Sequence, residues 1–159
     1  MKKVLFICLG NICRSPTAEA VMQNFVITKG LSDQIFCDSA GTSGYHEGEL
    51  ADSRMRKHAL KRGHNLLSRS RQLNYPDDFR EFDYLVVMDE RNKRDVEYLD
   101  AKQLYRNKIY SMVSFCKNIQ ADEVPDPYFG GEQGFERVID ILEDSCAGLL
   151  CKIEADLAK

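Results

Sequence analysis

The chain begins with a short, continuous apolar run from Val4 to Ile7, followed by a loop and then by apolar residues at helical spacing. A run of this length is typical of a strand that is buried on both faces of a parallel sheet. After the loop, Pro16 is compatible with a first helical turn and Ser15 with its N-cap, and the helical spacing continues to Gly30. This segment therefore predicts a strand, a loop and a helix.

The rest of the chain alternates between apolar runs and amphipathic segments. Further strands are predicted over 35–38, 83–88 and, from a weaker pattern, 109–115, and helices over 52–62, 89–99 and 135–153, although Gly148 interrupts the last helical pattern. This alternation predicts right-handed βαβ units. We expect an α/β fold in one domain over residues 1–159: a three-layer sandwich in which helices cover both faces of a parallel sheet.

Composition and charge exclude several functional classes. The 159 residues are 43% hydrophobic and 30% charged, with no apolar run near the roughly 20 residues that a membrane-spanning helix needs. The net charge of -3 argues against nonspecific nucleic-acid binding. Basic residues concentrate between 54 and 71 without interleaved aromatic residues, which favours a solvated helix face over a nucleic-acid patch. We therefore expect neither nucleic acid nor membrane as a partner.

Cysteine spacing indicates a reducing compartment. None of the six cysteines forms a C-x-x-C pair, so neither a zinc ribbon nor a thioredoxin-type motif is indicated. The N-terminal apolar stretch is at the short limit for a signal peptide and lacks a small-residue cleavage site. We therefore expect a cytoplasmic protein with reduced thiols, and a monomer.

The loop after the first strand has the composition of an anion site. It lies at the carboxyl end of a parallel strand, where such sheets bind ligands, and it precedes a helix N-terminus with unpaired N–H groups. Gly10 can adopt backbone angles closed to other residues, and Asn11 tolerates a left-handed conformation. Arg14 can add a planar fork of donors to two phosphoryl oxygens. The segment therefore predicts a phosphate-binding loop.

Cys8, the first residue of this loop, is the candidate nucleophile. A helix N-terminus and a nearby arginine favour the thiolate, and the Ser15 hydroxyl can stabilise it further. Attack on phosphorus by this thiolate would give a phosphocysteine intermediate. The Cys-x5-Arg spacing from Cys8 to Arg14 also arises by chance, so the prediction depends on its strand, loop and helix context. The alternative is a buried core cysteine at a strand end.

Asp126 is the candidate general acid for the leaving group. Pro125 and Pro127 restrict the backbone on both sides of this carboxylate, although an exposed turn aspartate has the same pattern. Asp89, which follows another predicted strand, is the competing candidate. Three aromatic residues offer walls for an aromatic leaving group: Tyr45, Tyr128 and Phe129. The three histidines lack ligand spacing, so no metal or other cofactor is expected.

These segments resemble the low molecular weight protein tyrosine phosphatases over essentially the whole chain. The matching motifs are Val4 to Pro16, Asp38 to Gly41, Asp83-Tyr84 with Met88-Asp89, and Asp126 to Tyr128. The resemblance implies a four-stranded sheet and metal-independent hydrolysis of phosphotyrosine, with inorganic phosphate as product. It implies Cys8 as nucleophile, Arg14 as phosphate clamp and Asp126, rather than Asp89, as proton donor. It further implies phosphate-loop, loop-supporting or cleft roles for Leu9, Gly10, Asn11, Ile12, Cys13, Ser15, Ser39, Tyr45, Tyr128 and Phe129.

Two positions depart from the mammalian pattern. Ser68 stands where those members often have a histidine that supports the loop asparagine, and Phe129 replaces the second of two tyrosines. The first departure leaves the support of the loop open, and the second removes a phosphorylatable hydroxyl.

Several alternatives share the loop. Arsenate reductases of this family need relay cysteines near residues 82–89, where this chain has none, and arginine phosphatases tend to carry threonine where Ile12 stands. A module that binds phosphorylated ligands without turnover, or an enzyme-like redox sensor, is the alternative from another class, but a binding module needs neither nucleophile nor acid. Cys13 can either form a reversible disulfide with Cys8 or simply pack the loop.

Overall fold

The computed structural model spans residues 1–159 and describes all of them apart from the side chain of Phe129. Its strands are β1 (Lys2–Cys8), β2 (Ile35–Gly41), β3 (Tyr84–Val87) and β4 (Ile109–Ser111). Its helices are α1 (Arg14–Thr28), α2 (Ser53–Leu60), α3 (Asp77–Glu81), α4 (Glu90–Leu99) and α5 (Gly131–Leu157). The strands form one parallel sheet in the order β2-β1-β3-β4, which confirms the predicted α/β fold.

Strand β1 lies inside the sheet and is buried on both faces. Val4 and Phe6 belong to the core that contains buried residues of α1, α2 and α5. Leu5 and Ile7 belong to the core on the opposite face, with buried residues of α3 and α4. All four side chains are fully buried, each a contribution of about 1.5–3 kcal/mol, so β1 fixes the start of the loop that follows Cys8.

Several element boundaries differ from the sequence prediction. Helix α1 begins at Arg14 with Cys13 as N-cap, so Ser15 lies inside the first turn and the predicted cap was wrong. Strand β4 ends at Ser111, and Met112–Phe115 forms a 3-10 helix where a strand was predicted. Two more 3-10 segments, Arg106–Lys108 and Pro127–Phe129, and helix α3 had no predicted counterpart.

Helix α5 runs through Gly148 without a break. This glycine packs closely against the chain after β4. A Cβ atom at residue 148 would lie 1.8 Å from the carbonyl oxygen of Phe115. The glycine that weakened the helical pattern is therefore required by close packing.

Three of the seven basic residues between 54 and 71 form ion pairs with acidic side chains, and Arg54 does so with Asp52. Arg62 donates to carboxylates on α5, and Arg71 bridges two aspartates; the acceptors are Glu136, Asp140 and Glu143 for the first, and Asp38 and Asp78 for the second. Four of the seven basic residues, Arg54, Lys57, Lys61 and Arg69, are exposed, as expected for a solvated face. Among the described residues, no helix combines the length and apolar character needed to cross a membrane.

Candidate active site

The loop from Cys8 to Cys13 is held in place by hydrogen bonds that its carbonyl groups accept from residues outside the loop. The acceptors are the carbonyl oxygens of residues 8, 9, 10, 12 and 13, and their donors are Thr42 N, Ser43 N, Ser70 Oγ, Asp52 N and Thr17 N, at 2.8 to 3.3 Å. Since these carbonyls bond outward, the amide N–H groups of the same peptides are left toward the loop centre. Successive amides in this arrangement form an anion-binding concavity.

Asn11 locks the shape of this loop. Its backbone has the predicted left-handed conformation, with φ of 56°, and its side chain is buried. Nδ2 donates to Ser15 Oγ at 2.8 Å and to Ser39 Oγ at 2.9 Å, and Oδ1 accepts from the Arg71 backbone N–H at 3.0 Å. One residue therefore ties the loop to β2, to α1 and to the segment after α2.

The Cys8 sulfur lies at the centre of these contacts. Its Sγ is 2.9 Å from Ser15 Oγ and accepts the Asn11 backbone N–H at 3.3 Å. Because Asn11 Nδ2 donates to Ser15 Oγ, the serine hydroxyl proton is free to point at the sulfur. A hydroxyl group and a backbone N–H therefore both lie within hydrogen-bond distance of the Cys8 sulfur.

Arg14 is buried and paired with Asp89 rather than with an acid of its own helix. Its Nη1 donates to Asp89 Oδ2 at 2.6 Å and to the Val124 carbonyl oxygen at 3.0 Å. Burial alone would lower the pKa of Arg14, but the Cys8 sulfur and Asp89 together raise it. Both hydrogen bonds to described residues use Nη1, so Nε and Nη2 remain for a bound anion.

Asp89 holds the guanidinium and also caps helix α4, where its side chain accepts the Asn92 backbone N–H at 2.7 Å. These two roles occupy the carboxylate that competed with Asp126 in the sequence as candidate acid.

Asp126 lies in the wall of the same cleft as Cys8 and Arg14. The cleft has a cavity volume of about 210 Å³ and is completed by Leu9, Gly10, Ile12, Cys13, His46, Pro127 and Tyr128. Asp126 Oδ1 accepts the Tyr128 backbone N–H at 3.0 Å, which orients the carboxylate at the start of the 3-10 segment. The topology thus brings residues from opposite ends of the chain to one site.

Three predictions about individual loop and cleft residues need correction or fall outside the described side chains. Gly10 does not use a left-handed backbone; a Cβ there would lie 3.1 Å from His46 Cδ2, so the glycine provides space instead. Tyr45 is 87% exposed and does not line the cleft, although its ring packs edge-on against His46, which does. The predicted cleft position of Phe129 lies outside the described side chains.

A buried polar layer behind the loop was not predicted in full. Ser39, expected to hold the loop, donates to Glu19 Oε1 at 2.6 Å, and burial raises the pKa of Glu19 despite this hydrogen bond. Ser68 also interacts with Glu19 and does not contact Asn11 among the described hydrogen bonds, whereas Ser39 accepts a hydrogen bond from Asn11 Nδ2. The role of Glu19 could not be predicted from the sequence, because no local pattern distinguishes this carboxylate from others at helical positions.

No metal ligand set accompanies these residues. Among the described side chains, no group of three or more histidine, cysteine, aspartate or glutamate residues is arranged to hold a metal ion. His58 and His64 instead bond Glu136 and Glu143 of α5.

The cleft lies at the carboxyl edge of a parallel sheet, the position at which α/β proteins bind their ligands. By fold and site, the chain is an α/β protein in which the loop after the first strand surrounds a cysteine thiol. The model of the low molecular weight phosphotyrosine protein phosphatase family matches residues 3–159. The chain belongs to this family.

Relatives across the whole length agree with this assignment. A putative low molecular weight protein-tyrosine-phosphatase of Synechocystis sp. is 46% identical, with 98% of each chain covered. The human low molecular weight phosphotyrosine protein phosphatase is 38% identical, with 95% of each covered. The crystal structure of a protein tyrosine phosphatase from Entamoeba histolytica is 51% identical, with a TM-score of 0.94 over 98% of this chain and 99% of that one.

Proposed function

We propose that this protein hydrolyses phosphotyrosine and aryl phosphate monoesters through a phosphocysteine intermediate on Cys8. The observation that supports this most is the convergence of Cys8, Arg14 and Asp126 on one cleft, at a loop in which five of the six carbonyl groups accept hydrogen bonds from residues outside the loop. The proposed chemistry needs no metal or other cofactor.

In the first step, the Cys8 thiolate attacks phosphorus, and the bond from phosphorus to the ester oxygen breaks. Asp126 donates its proton to the leaving oxygen. In the second step, Asp126 takes a proton from water as that water attacks phosphocysteine, which releases inorganic phosphate and restores the thiolate. Loop amides and Arg14 hold the phosphoryl oxygens in both steps.

The cleft walls favour an aromatic leaving group. Ile12 and the ring of Tyr128 line the cleft beside the proposed acid. Phosphoarginine hydrolysis is the second candidate because the loop is shared with arginine phosphatases, and Ile12 is the residue that argues against it. Comparing kcat/KM for a phosphotyrosine peptide and for its phosphoarginine counterpart decides between them: we expect the phosphotyrosine peptide to be preferred.

Turnover of p-nitrophenyl phosphate with a chelator present tests the enzyme class. We expect full activity in the wild type and none in Cys8→Ser, which should still bind inorganic phosphate because the loop amides and Arg14 remain. A non-catalytic binding module would show phosphate binding but no turnover in the wild type. Unchanged turnover in Cys8→Ser would exclude the nucleophile assigned here.

Substituting Asp126 tests the proton donor separately. Asp126→Ala should lower kcat/KM, which reports the first step alone, by about 10²-fold or more for phenyl phosphate, whose leaving group needs a proton. The loss should be much smaller for 2,4-dinitrophenyl phosphate, whose leaving group departs readily as an anion. Equal losses for both substrates would assign Asp126 a different role.

The location and assembly state complete the proposal. A thiolate nucleophile at Cys8 requires a reduced cysteine, which the cytoplasm maintains, and we propose that the protein acts there as a monomer. Sedimentation at several protein concentrations tests the second point, since a monomer predicts a single, concentration-independent species.

A further inference from the structure

Asp52 lies where three parts of the site meet. Its backbone N–H donates to the Ile12 carbonyl oxygen of the phosphate-binding loop at 2.8 Å. Its side chain caps helix α2, and it also accepts a hydrogen bond from the Tyr128 hydroxyl at 3.1 Å. Tyr128 belongs to the segment that carries Asp126, so Asp52 connects the loop of the nucleophile to the segment of the acid.

The two carboxylate oxygens of Asp52 divide these tasks. Oδ1 accepts the backbone N–H groups of Arg54 at 2.9 Å and Met55 at 3.3 Å, which is the helix cap. Oδ2 accepts the Tyr128 hydroxyl and the Arg54 guanidinium. Burial alone would raise the pKa of Asp52, but the hydrogen bonds from Arg54 and Met55 lower it, so the acceptor is a carboxylate at neutral pH. Since the helix cap uses Oδ1, the cap does not require the contact between Oδ2 and the Tyr128 hydroxyl.

Tyr128 transmits this contact to the acid. Its hydroxyl bonds Asp52, its backbone N–H donates to Asp126 Oδ1 at 3.0 Å, and the Arg54 guanidinium lies 4.9 Å from its ring centre. The Cys13 sulfur is 3.7 Å from the same hydroxyl. Fixing the tyrosine ring therefore also fixes the peptide that orients the Asp126 carboxylate.

We propose that Asp52 is a positioning residue for the reaction: through the Tyr128 hydroxyl it holds Asp126 over the phosphate-binding loop. This inference rests on the proposed function, in which Asp126 protonates the leaving group. Asp52 touches no reacting atom in this proposal. Its removal should therefore affect the proton-transfer step selectively, whereas loss of a helix cap alone would affect stability and all substrates alike.

The test separates the cap from the contact with Tyr128. Asp52→Ser retains an N-cap of similar strength but lacks the second oxygen. Tyr128→Phe keeps the aromatic wall and removes the contact from the other side, away from the cap. Asp52→Asn keeps polar atoms at both positions and serves as the conservative control.

We expect Asp52→Ser and Tyr128→Phe each to lower kcat/KM for phenyl phosphate by about fivefold, the effect of one net hydrogen bond. For 2,4-dinitrophenyl phosphate the loss should be below about twofold because that leaving group needs little protonation. The double variant should be no slower than either single variant. Asp52→Asn should keep at least about half of the wild-type kcat/KM for phenyl phosphate.

Equal losses for the two substrates, or multiplied losses in the double variant, would overturn the positioning role. Asp126→Ala in the same assay keeps the two proposals distinguishable. If Asp126→Ala shows the leaving-group dependence and Asp52→Ser does not, the positioning role fails and the proposed mechanism stands. If Asp126→Ala itself shows none, the proton-donor role fails and the positioning role fails with it.

Discussion

Replacing Asn11 tests how the phosphate-binding loop is held. The side chain makes three buried hydrogen bonds, to Ser15, Ser39 and the Arg71 backbone, and the backbone is left-handed with φ of 56°. Asn11→Ala loses all three bonds, each about 1 kcal/mol net. It also forces alanine into a conformation that costs roughly 1–2 kcal/mol. Allowing for relaxation of the loop, we expect the free energy of unfolding to fall by about 3–5 kcal/mol.

Urea denaturation followed by circular dichroism measures this loss. Asn11→Gly separates its two parts, because glycine accepts the left-handed backbone and loses only the hydrogen bonds, so it should be about 1 kcal/mol less destabilised than the alanine variant. Asn107→Ala, at an exposed asparagine outside the left-handed region, is the matched control and should stay within about 0.5 kcal/mol of the wild type.

Activity provides a second readout of the same perturbation. Asn11 Nδ2 orients the Ser15 hydroxyl, which lies 2.9 Å from the Cys8 sulfur, so kcat/KM for p-nitrophenyl phosphate should fall with stability in Asn11→Ala. A loss of less than about 1 kcal/mol together with unchanged kcat/KM would refute the view that Asn11 locks the loop.

Three further predictions concern packing, pH and oxidation. Gly148→Ala should destabilise the fold by about 2–3 kcal/mol, because its Cβ would lie 1.8 Å from the Phe115 carbonyl oxygen; an unchanged melting temperature would contradict this. Burial raises the pKa of Glu19 in the native state, so the native state loses stability as the pH rises from the unfolded-state pKa through the raised native-state pKa. Glu19→Gln should therefore melt higher than the wild type near pH 7 but not near pH 4. Mild peroxide should convert Cys8 to a sulfenic acid that condenses with the Cys13 thiol and releases water; mass spectrometry that finds sulfinic acid on Cys8 and no disulfide to Cys13 would exclude this switch.

Burial sets the conditions of that oxidation experiment. It raises the pKa of the Cys13 thiol to about 12, and the sulfur faces the Tyr128 hydroxyl rather than solvent. The thiol form therefore dominates at neutral pH, and formation of the disulfide should accelerate as pH rises.

Local pattern was sufficient for the elements that place the site. The apolar run of β1 and the helices predicted to start near Asp52 and Asp89 depend on neighbouring residues in the chain, and all three elements are present in the structure. The 3-10 turn at Met112–Phe115 was missed because apolar residues continue into it from β4, so the strand was predicted to run on to residue 115. Helix α3 was missed because five residues are too few for a helical period to show.

Contacts between distant segments explain what the sequence could not predict about the site. Arg14 and Asp89 are 75 positions apart, and Tyr128 and Asp52 are 76 apart. Asp89 and Asp52 each have a local role as a helix cap, and Tyr128 has one as an aromatic wall. The contact that each of them makes with a distant residue depends on how the whole sheet packs. The sequence motifs identify the residues proposed to do the chemistry, but they do not reveal the pairing of Arg14 with Asp89 or of Tyr128 with Asp52.

Trapping the phosphoenzyme tests the central claim most directly. The wild-type protein is mixed with p-nitrophenyl phosphate and quenched within the first turnovers, and its peptides are analysed by mass spectrometry. We predict that the peptide containing Cys8 gains the mass of one phosphoryl group, and that Cys8→Ser gains none under the same conditions. Hydrolysis by the wild type without any modification of Cys8, or phosphorylation of another residue, would contradict the mechanism.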